Sequence, residues 1–264
     1  MPSTTTRKLL LDKVPGMFGP IFVEARGHRR SMRFGSRDAV EQSLVDLGHP
    51  ERPVPAYLRA AAWVSSLGDP PKRALLVGLG GGGFVRFLRK RFPRIEIDIV
   101  EIDPAVIHLA KSRFGIRESR RTRIHNTDAI LHLATDPSRH NLILLDAYDG
   151  PTLSSRFFST DFFALAAASL AEGGYCAANL SLRTRQEETT AARRFQRAFP
   201  AGSLRVEMPA DRNRLLVGRR GPIPEPATLR SMAGTIDRSK ALAFPVRPFA
   251  CRAYPLGSRK RRRA

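Results

Sequence analysis

The chain of 264 residues carries 45 basic and 24 acidic side chains, a formal net charge of +21, and 42% hydrophobic residues. That length fits one large α/β domain with a small appendage. No apolar run approaches the ~20 residues of a membrane span, and Cys176 and Cys251 lack metal-ligand spacing, which argues against a zinc site; two cysteines in such a chain read as reduced thiols. The excess of arginine is spread along the chain, with five basic residues in the closing RKRRRA. Spread charge fits a solvated surface; a nucleic-acid partner is the less favoured expectation, because no aromatic-interleaved basic motif or zinc-finger spacing accompanies it. The opening MPSTTTRKLLLDKVPG shows no signal-peptide cleavage pattern, so a cytoplasmic protein with reduced thiols and no membrane partner is expected. The six histidines are scattered, and His125 and His132 have no third companion at zinc-site spacing, so no metal is expected.

In chain order, GPIFVEARGHRRSMRFG alternates apolar and polar residues about RGH and predicts an N-terminal β-hairpin. PVPAYLRAAAWVSSLG predicts a helix stopped at Gly68. From Lys72 the pattern becomes strand, glycine turn, helix, strand, helix. RALLVGLGGGG is a first buried strand and its turn, FVRFLRKRF a helix, and IEIDIVE a second strand. DPAVIHLAKSRFG then supplies Asp103 as N-cap, Pro104 at the first helical position and Gly115 as terminator. TRIHNTD and AILHLAT give a third strand and a short helix, and NLILLD a fourth strand. TDFFALAAASLAEGG reads as a capped helix ending at two glycines, followed by YCAANLS as the fifth strand. Thr184 and Glu187 form a capping box for the next helix, and SLRVEM and NRLLVG form a closing antiparallel pair. After Gly221 the proline-rich chain predicts short helices, irregular structure and a frayed basic end.

Strands alternating with helices imply an α/β fold with a doubly wound, mostly parallel Rossmann-like sheet and a small N-terminal β-hairpin region. The expected organisation is residues 1–68 as the hairpin and helix region, 69–221 as the α/β domain built on the parallel sheet, and 222–264 as a proline-rich extension with a basic tail.

Ligands of such sheets bind beyond the carboxyl ends of the strands. Four strand ends there carry chemistry. The GLGGGG loop, with Gly78, Gly80 and Gly82, lets a ligand lie against the backbone, as in a dinucleotide-binding loop or an adenosylmethionine loop. Glu101 at the end of the second strand is positioned to accept hydrogen bonds from both hydroxyls of an unphosphorylated ribose. Asp128, followed by Ala129, sits beyond the third strand, where it either accepts from an adenine amino group or caps the next helix, or both. The fourth strand ends in DAYDG, which puts Asp146 and Asp149 beside the presumed reactive end.

The segments LLVGLGGGG, VEIDPAVIHLAKSRFG, NTDAILHL, LILLDAYDGP, TDFFALAAASLAEGG and AANL follow the order and approximate spacing of the spermidine synthase family, and the chain resembles its divergent, spermidine-synthase-like branch over residues 18–218. The resemblance implies an aminopropyltransferase on a methyltransferase-like fold, moving the aminopropyl group of decarboxylated S-adenosylmethionine to a diamine such as putrescine. It implies Asp146 as catalytic base, Asp149 as acceptor-binding acid, Tyr148 and Tyr57 beside the acceptor, and Gln42 on the nucleoside side, in a homodimer that needs no metal. The chemistry is coherent: an alkyl ammonium has a pKa near ~10 and must lose a proton to attack the carbon next to a sulfonium.

Three departures stand out. Gly81 replaces the aspartate of the family's G-G-G-D-G-G loop, which contacts the transferred aminopropyl amine, and this leaves decarboxylated and intact S-adenosylmethionine both open as donor. In ERPVPAYLRA only Tyr57 survives of the family's acidic stretch, with Leu58 and Arg59 in place of histidine and glutamate; an arginine added to the cavity predicts weaker binding of di- and tri-cations. DAYDG replaces D-S-x-D-P. The alternatives are an S-adenosylmethionine-dependent small-molecule N-methyltransferase and a non-catalytic nucleoside-binding relic.

Overall fold

The computed structural model describes residues 8–147, 155–180, 184–208 and 213–256. Tyr148, Asp149 and the basic tail lie outside the described residues. The chain starts with an antiparallel meander of four strands: β1 (Leu9–Gly16), β2 (Gly19–Arg26), β3 (Arg29–Phe34) and β4 (Ser43–Asp46). The expected hairpin is β2 and β3, closed by Gly27 and His28 between the paired Arg26 and Arg29. The flanking β1 and β4 enlarge it to a sheet. One face buries Ile21, Val23, Met32 and Val45 in the core.

The helix α1 (Ala56–Val64) then leads to the main sheet. Along the chain come β5 (Arg73–Val77), α2 (Gly83–Arg91), β6 (Glu96–Glu101), α3 (Pro104–Ser112), β7 (Thr122–Asn126), α4 (Ala129–Thr135), β8 (His140–Leu145), α5 (Thr160–Ala168) and β9 (Leu170–Leu180). They are followed by α6 (Arg185–Ala198), β10 (Ser203–Glu207), β11 (Arg214–Arg219), α7 (Pro226–Ser239), α8 (Arg247–Ala250) and β12 (Ala253–Pro255). The spatial order is β12-β10-β11-β9-β8-β5-β6-β7. From β9 to β7 every pairing is parallel, and β11, β10 and β12 add antiparallel strands. This is the doubly wound, mostly parallel sheet expected. The chain runs outward from β5 through β6 to β7, then returns to the other side of β5 with β8, so a crevice opens where the loops after β5 and β8 part.

Two apolar layers cover the sheet. On one face α1, α2, α3 and the N-terminal sheet pack around Trp63, Phe87, Leu88 and Phe114, all nearly free of solvent. On the other, α4, α5 and α6 enclose Phe162, Phe163 and Phe195. Caps follow the expected chemistry: Asp103 accepts from Ala105 N, and Thr184 and Glu187 make the reciprocal box.

Two local expectations are corrected. The stretch LAEGG does not end a helix: α5 stops at Ala168, and Leu170 already pairs with His140 in β9, with an irregularity before the Leu142 to Tyr175 pairing that accommodates the glycines. After Gly221 the chain is more ordered than the prolines suggest. Pro226 opens the fourteen-residue α7, where a missing N–H costs nothing. Leu229, Ala233, Val246 and Phe249 join the core, and β12 extends the sheet beside β10.

Candidate active site

A cleft of about 990 Å³, measured out to its open mouth, lies over the carboxyl ends of β5, β6 and β8. Its floor is the glycine loop. Gly78 has φ +97° and donates its N–H to Val100 O at 2.8 Å; a Cβ there would stand 2.3 Å from the Asp146 carbonyl oxygen. Gly82, at φ +69°, is the N-cap of α2, and a Cβ on it would meet the Ile116 side chain at 2.3 Å. Both positions therefore exclude any side chain. Gly80 also lines the cleft. Gly81 does not: its N–H donates to Ser43 Oγ at 2.9 Å, and a Cβ built on it would point into the Phe114 ring at 2.6 Å.

Glu101 ends β6 at the cleft wall. Its Oε2 accepts from Leu79 N and its Oε1 from Asp103 N, each at 3.0 Å. Burial pushes this carboxyl above the ordinary range, while the two amides pull the other way. The acid thus ties the glycine loop to the start of α3. Next to it, the other side of the site is anchored: Asp103 Oδ2 accepts from Met17 N at 2.8 Å, which fastens the β1–β2 turn to the head of α3.

Asp128 is the N-cap of α4, with Oδ1 accepting from Ile130 N at 2.8 Å and Leu131 N at 3.2 Å. Its neighbours Thr127 and Ala129 face the cleft. Gln42 lines the cleft from the segment before β4, and its Oε1 accepts from Phe34 N at 3.1 Å. Phe18, Phe34 and Phe157 supply aromatic wall.

Asp146, one residue beyond β8, is the most unusual group. Tyr57 O–H donates to its Oδ2 at 2.8 Å and Asn179 Nδ2 donates to its Oδ1 at 2.9 Å. Burial raises its pKa to about 7 in spite of these two hydrogen bonds. Tyr57 arrives from α1 and Asn179 from β9, where it is 1% exposed. Thus Asp146, Tyr57, Gln42, Glu101, Ala129 and the glycine loop all line one cleft. Asn179, Ser43 and the Asp103 anchor to Met17 go beyond the sequence reading; an asparagine inside the apolar strand AANL is the signal that could have found the first.

Leu58 lines the cleft, as its replacement of a polar residue implied, but Arg59 does not. Its guanidinium donates to Pro53 O and Val54 O at 3.3 and 2.6 Å. The expectation that an arginine enters the cavity is therefore corrected: the loop before α1 offers it carbonyls that compensate its partial burial. Among the described residues no three His, Cys, Asp or Glu side chains converge as metal ligands, and no helix is long and apolar enough to cross a membrane.

The sheet order and the strand-end acids define an α/β protein of methyltransferase-like architecture. More narrowly, the chain belongs to the spermine/spermidine synthase family, whose domain model, "Spermine/spermidine synthase domain", matches residues 56–200. It is 28% identical over 184 residues to the polyamine aminopropyltransferase of Vibrio vulnificus (strain CMCP6), covering 68% of this chain and 59% of that protein. The chain therefore spans less than two thirds of that relative's length. Among solved structures, a probable spermidine synthase from Corynebacterium glutamicum ATCC 13032 superposes with a TM-score of 0.71 at 20% identity, over 84% of this chain and 86% of that one. Human methyltransferase-like protein 13 in complex with SAH superposes with a TM-score of 0.58 at 26% identity, over 70% and 87%.

Proposed function

We propose that the protein is an aminopropyltransferase that moves the aminopropyl group of decarboxylated S-adenosylmethionine to a diamine such as putrescine. The observation that carries this reading is Asp146: a carboxylate on a cleft floor, held by two neutral donors, with a pKa pushed to about 7. Such a group takes a proton near neutral pH, which is what an ammonium acceptor requires. In this reading the nucleoside lies on the glycine loop. Glu101 accepts from the ribose hydroxyls, and the edge formed by Thr127, Asp128 and Ala129 faces the adenine. As the acceptor nitrogen loses a proton to Asp146, its lone pair attacks the aminopropyl carbon. The carbon–sulfur bond breaks with its electrons going to sulfur, and methylthioadenosine leaves as a neutral thioether. Tyr57 and Asn179 hold the carboxylate in line and Gln42 closes the nucleoside side. Asp149 and Tyr148 complete the acceptor end. Asp128 keeps its capping role throughout. The expected homodimer and cytoplasmic location belong to the same reading, and sedimentation at working concentration checks the first.

A second reading, an N-methyltransferase using intact S-adenosylmethionine, is favoured by one observation. A side chain at position 81 would point into Phe114 rather than the cleft, so that position offers no acid to an aminopropyl amine. Offering each donor with putrescine and weighing the products separates the two. Aminopropylated putrescine with methylthioadenosine supports the first. Methylated amine without aminopropyl transfer rejects it. Tight nucleoside binding with no turnover from either donor leaves the relic.

A further inference from the structure

The cleft at the carboxyl ends of the strands does not account for a net charge of +21. The opposite end of the sheet gathers six of the 45 basic side chains into one patch. The loops that lead into β5, β6, β7 and β8 all emerge at the amino ends of these parallel strands, and they bring Lys72, Arg94, Arg120, Arg121 and Arg139 to one edge, joined by Arg91 at the end of α2. All six are exposed. Backbone bonds fix the alignment: Glu96 N donates to Lys72 O, and Ile97 N donates to Arg121 O, both at 2.9 Å. Four strands at ~4.8 Å spacing make this ridge about 15 Å wide.

None of the six has a carboxylate within ion-pair distance among the described residues. The acids of this end do not neutralise it. Glu96 pairs with Arg123, Glu118 with Lys111 and Glu172 with Arg220, which leaves the exposed Asp69, beside Glu172 at the β8–β9 end of the ridge. Helix macrodipoles explain part of the pattern, because the last turn of α2 favours cations. They do not explain Lys72, Arg94, Arg120, Arg121 and Arg139, which lie in loops or at strand entries. The large apolar side chains that are exposed, Leu9, Leu10, Met17, Val40 and Leu131, lie in the N-terminal region or on α4. The ridge thus has no apolar side chain to insert into a bilayer, and arginine, whose planar fork matches phosphate bidentately, predominates.

We infer that this ridge binds the phosphate backbone of nucleic acid, without sequence preference, on the end of the molecule remote from the cleft. Duplex DNA or RNA presents dense phosphate charge, and each phosphate neutralised releases counterions, so affinity falls steeply with salt. The test uses the full chain and a variant carrying Arg94→Glu, Arg121→Glu and Arg139→Glu; both retain the basic C-terminal tail, so its contribution cancels. Fluorescence anisotropy with a labelled 20-nucleotide single-stranded RNA, at 50 and 200 mM salt, is the measurement. The expected result is at least a tenfold loss of affinity and a shallower dependence of log K on log salt, by about 0.7 per lost phosphate contact. Methylthioadenosine affinity should stay unchanged in both proteins. Equal RNA affinity and equal salt slope would overturn the inference. So would tighter binding to phosphatidylserine vesicles than to RNA, lost in the variant, which would make the ridge a lipid-headgroup surface. Should the reversal variant melt early, the corresponding triple glutamine variant carries the same comparison with a smaller expected loss.

Discussion

Two buried aspartates on one sheet have opposite electrostatics. Asp98, in the middle of β6, is 2% exposed and surrounded by cations and rings. Arg73 donates twice to its Oδ2, at 2.9 and 3.0 Å, Arg123 Nε donates to Oδ1 at 2.8 Å, and His125 Nε2 lies 3.0 Å from Oδ1. His140 Nε2 is 3.8 Å away. Among the described residues, the Asp146 carboxylate, beyond β8, accepts from a phenol and an amide. Burial pushes both acids upward. At Asp98 the nearby His140 ring and the hydrogen bonds of Arg123, His125 and Arg73 outweigh it and hold the carboxyl well below the usual range; at Asp146 the neutral donors do not, and the pKa climbs to about 7. The charge of the partners, not depth, decides whether a buried acid is a fixed anion or a group that exchanges protons near neutrality.

The largest expected effect breaks the comparison at its functional member. Asp146→Asn keeps the shape but cannot accept a proton, so turnover should fall by about 10²–10⁴, the usual contribution of general-base catalysis. Calorimetry should find methylthioadenosine binding within a few-fold of wild type. A variant that keeps more than a tenth of wild-type turnover ends the assignment of Asp146 as base. Its stability should move the other way. A carboxyl whose pKa is raised on folding binds its proton more tightly in the native state, so its contribution to stability is lost as pH rises from the unfolded value toward about 7. At pH 8 the asparagine variant should therefore melt no lower than the wild type.

Asp98→Asn should do the reverse. It leaves Arg73 and Arg123 without their shared anion; a fully buried pair broken on one side costs about 3–5 kcal/mol, and the loss here is smaller, because the two arginine side chains keep 30% and 42% exposure and Arg123 retains Glu96. Urea denaturation at pH 7 should show that loss with turnover per folded molecule unchanged. Acid should reproduce it in the wild type. A depressed native pKa gives stability that is present above the unfolded carboxylate pKa and disappears as pH falls below it. Acid unfolding that sets in at the same pH in wild type and Asp98→Asn would show that the cluster contributes nothing.

These contrasts also mark what could be read without coordinates. Alternating strands, the glycine loop, Asp103 as a cap and the Thr184 box are local signals, and each holds. The strand-end acids were legible because parallel topology sends every strand end to the same rim. What failed was local ambiguity and distant register. Glycines end helices and also bulge strands, so Gly173 and Gly174 were read as a helix stop when they belong to β9. The edge strand β1 hid behind Pro15 and scattered charge. Asn179 and Tyr57 lie 33 and 89 positions from Asp146, and their convergence depends on β9 lying beside β8 and α1 crossing the sheet. No spacing rule encodes that, and the shell of arginines and histidines around Asp98, gathered from the three strands β5, β7 and β8, is invisible for the same reason.

The smallest expected effect sharpens the comparison. In the proposed reaction the rate should rise about tenfold per pH unit on the acid side and level off above about 7, where Asp146 is ionised. Tyr57 touches that carboxylate but, on this geometry, positions it rather than reacting. Its hydrogen bond lowers the pKa of Asp146 against the upward push of burial. Tyr57→Phe removes one donor, worth about 1.5–3 kcal/mol to a charged acceptor in full and less where the cleft admits water. The midpoint of the pH–rate profile should therefore move upward, with the plateau rate reduced by less than about tenfold. A purely structural role for Tyr57 would lower the rate at every pH and leave the midpoint in place. A midpoint that moves downward would mean that the phenol accepts a hydrogen bond from a protonated Asp146 in the working enzyme. The contrast with Asp98 would then rest on which partner holds the proton.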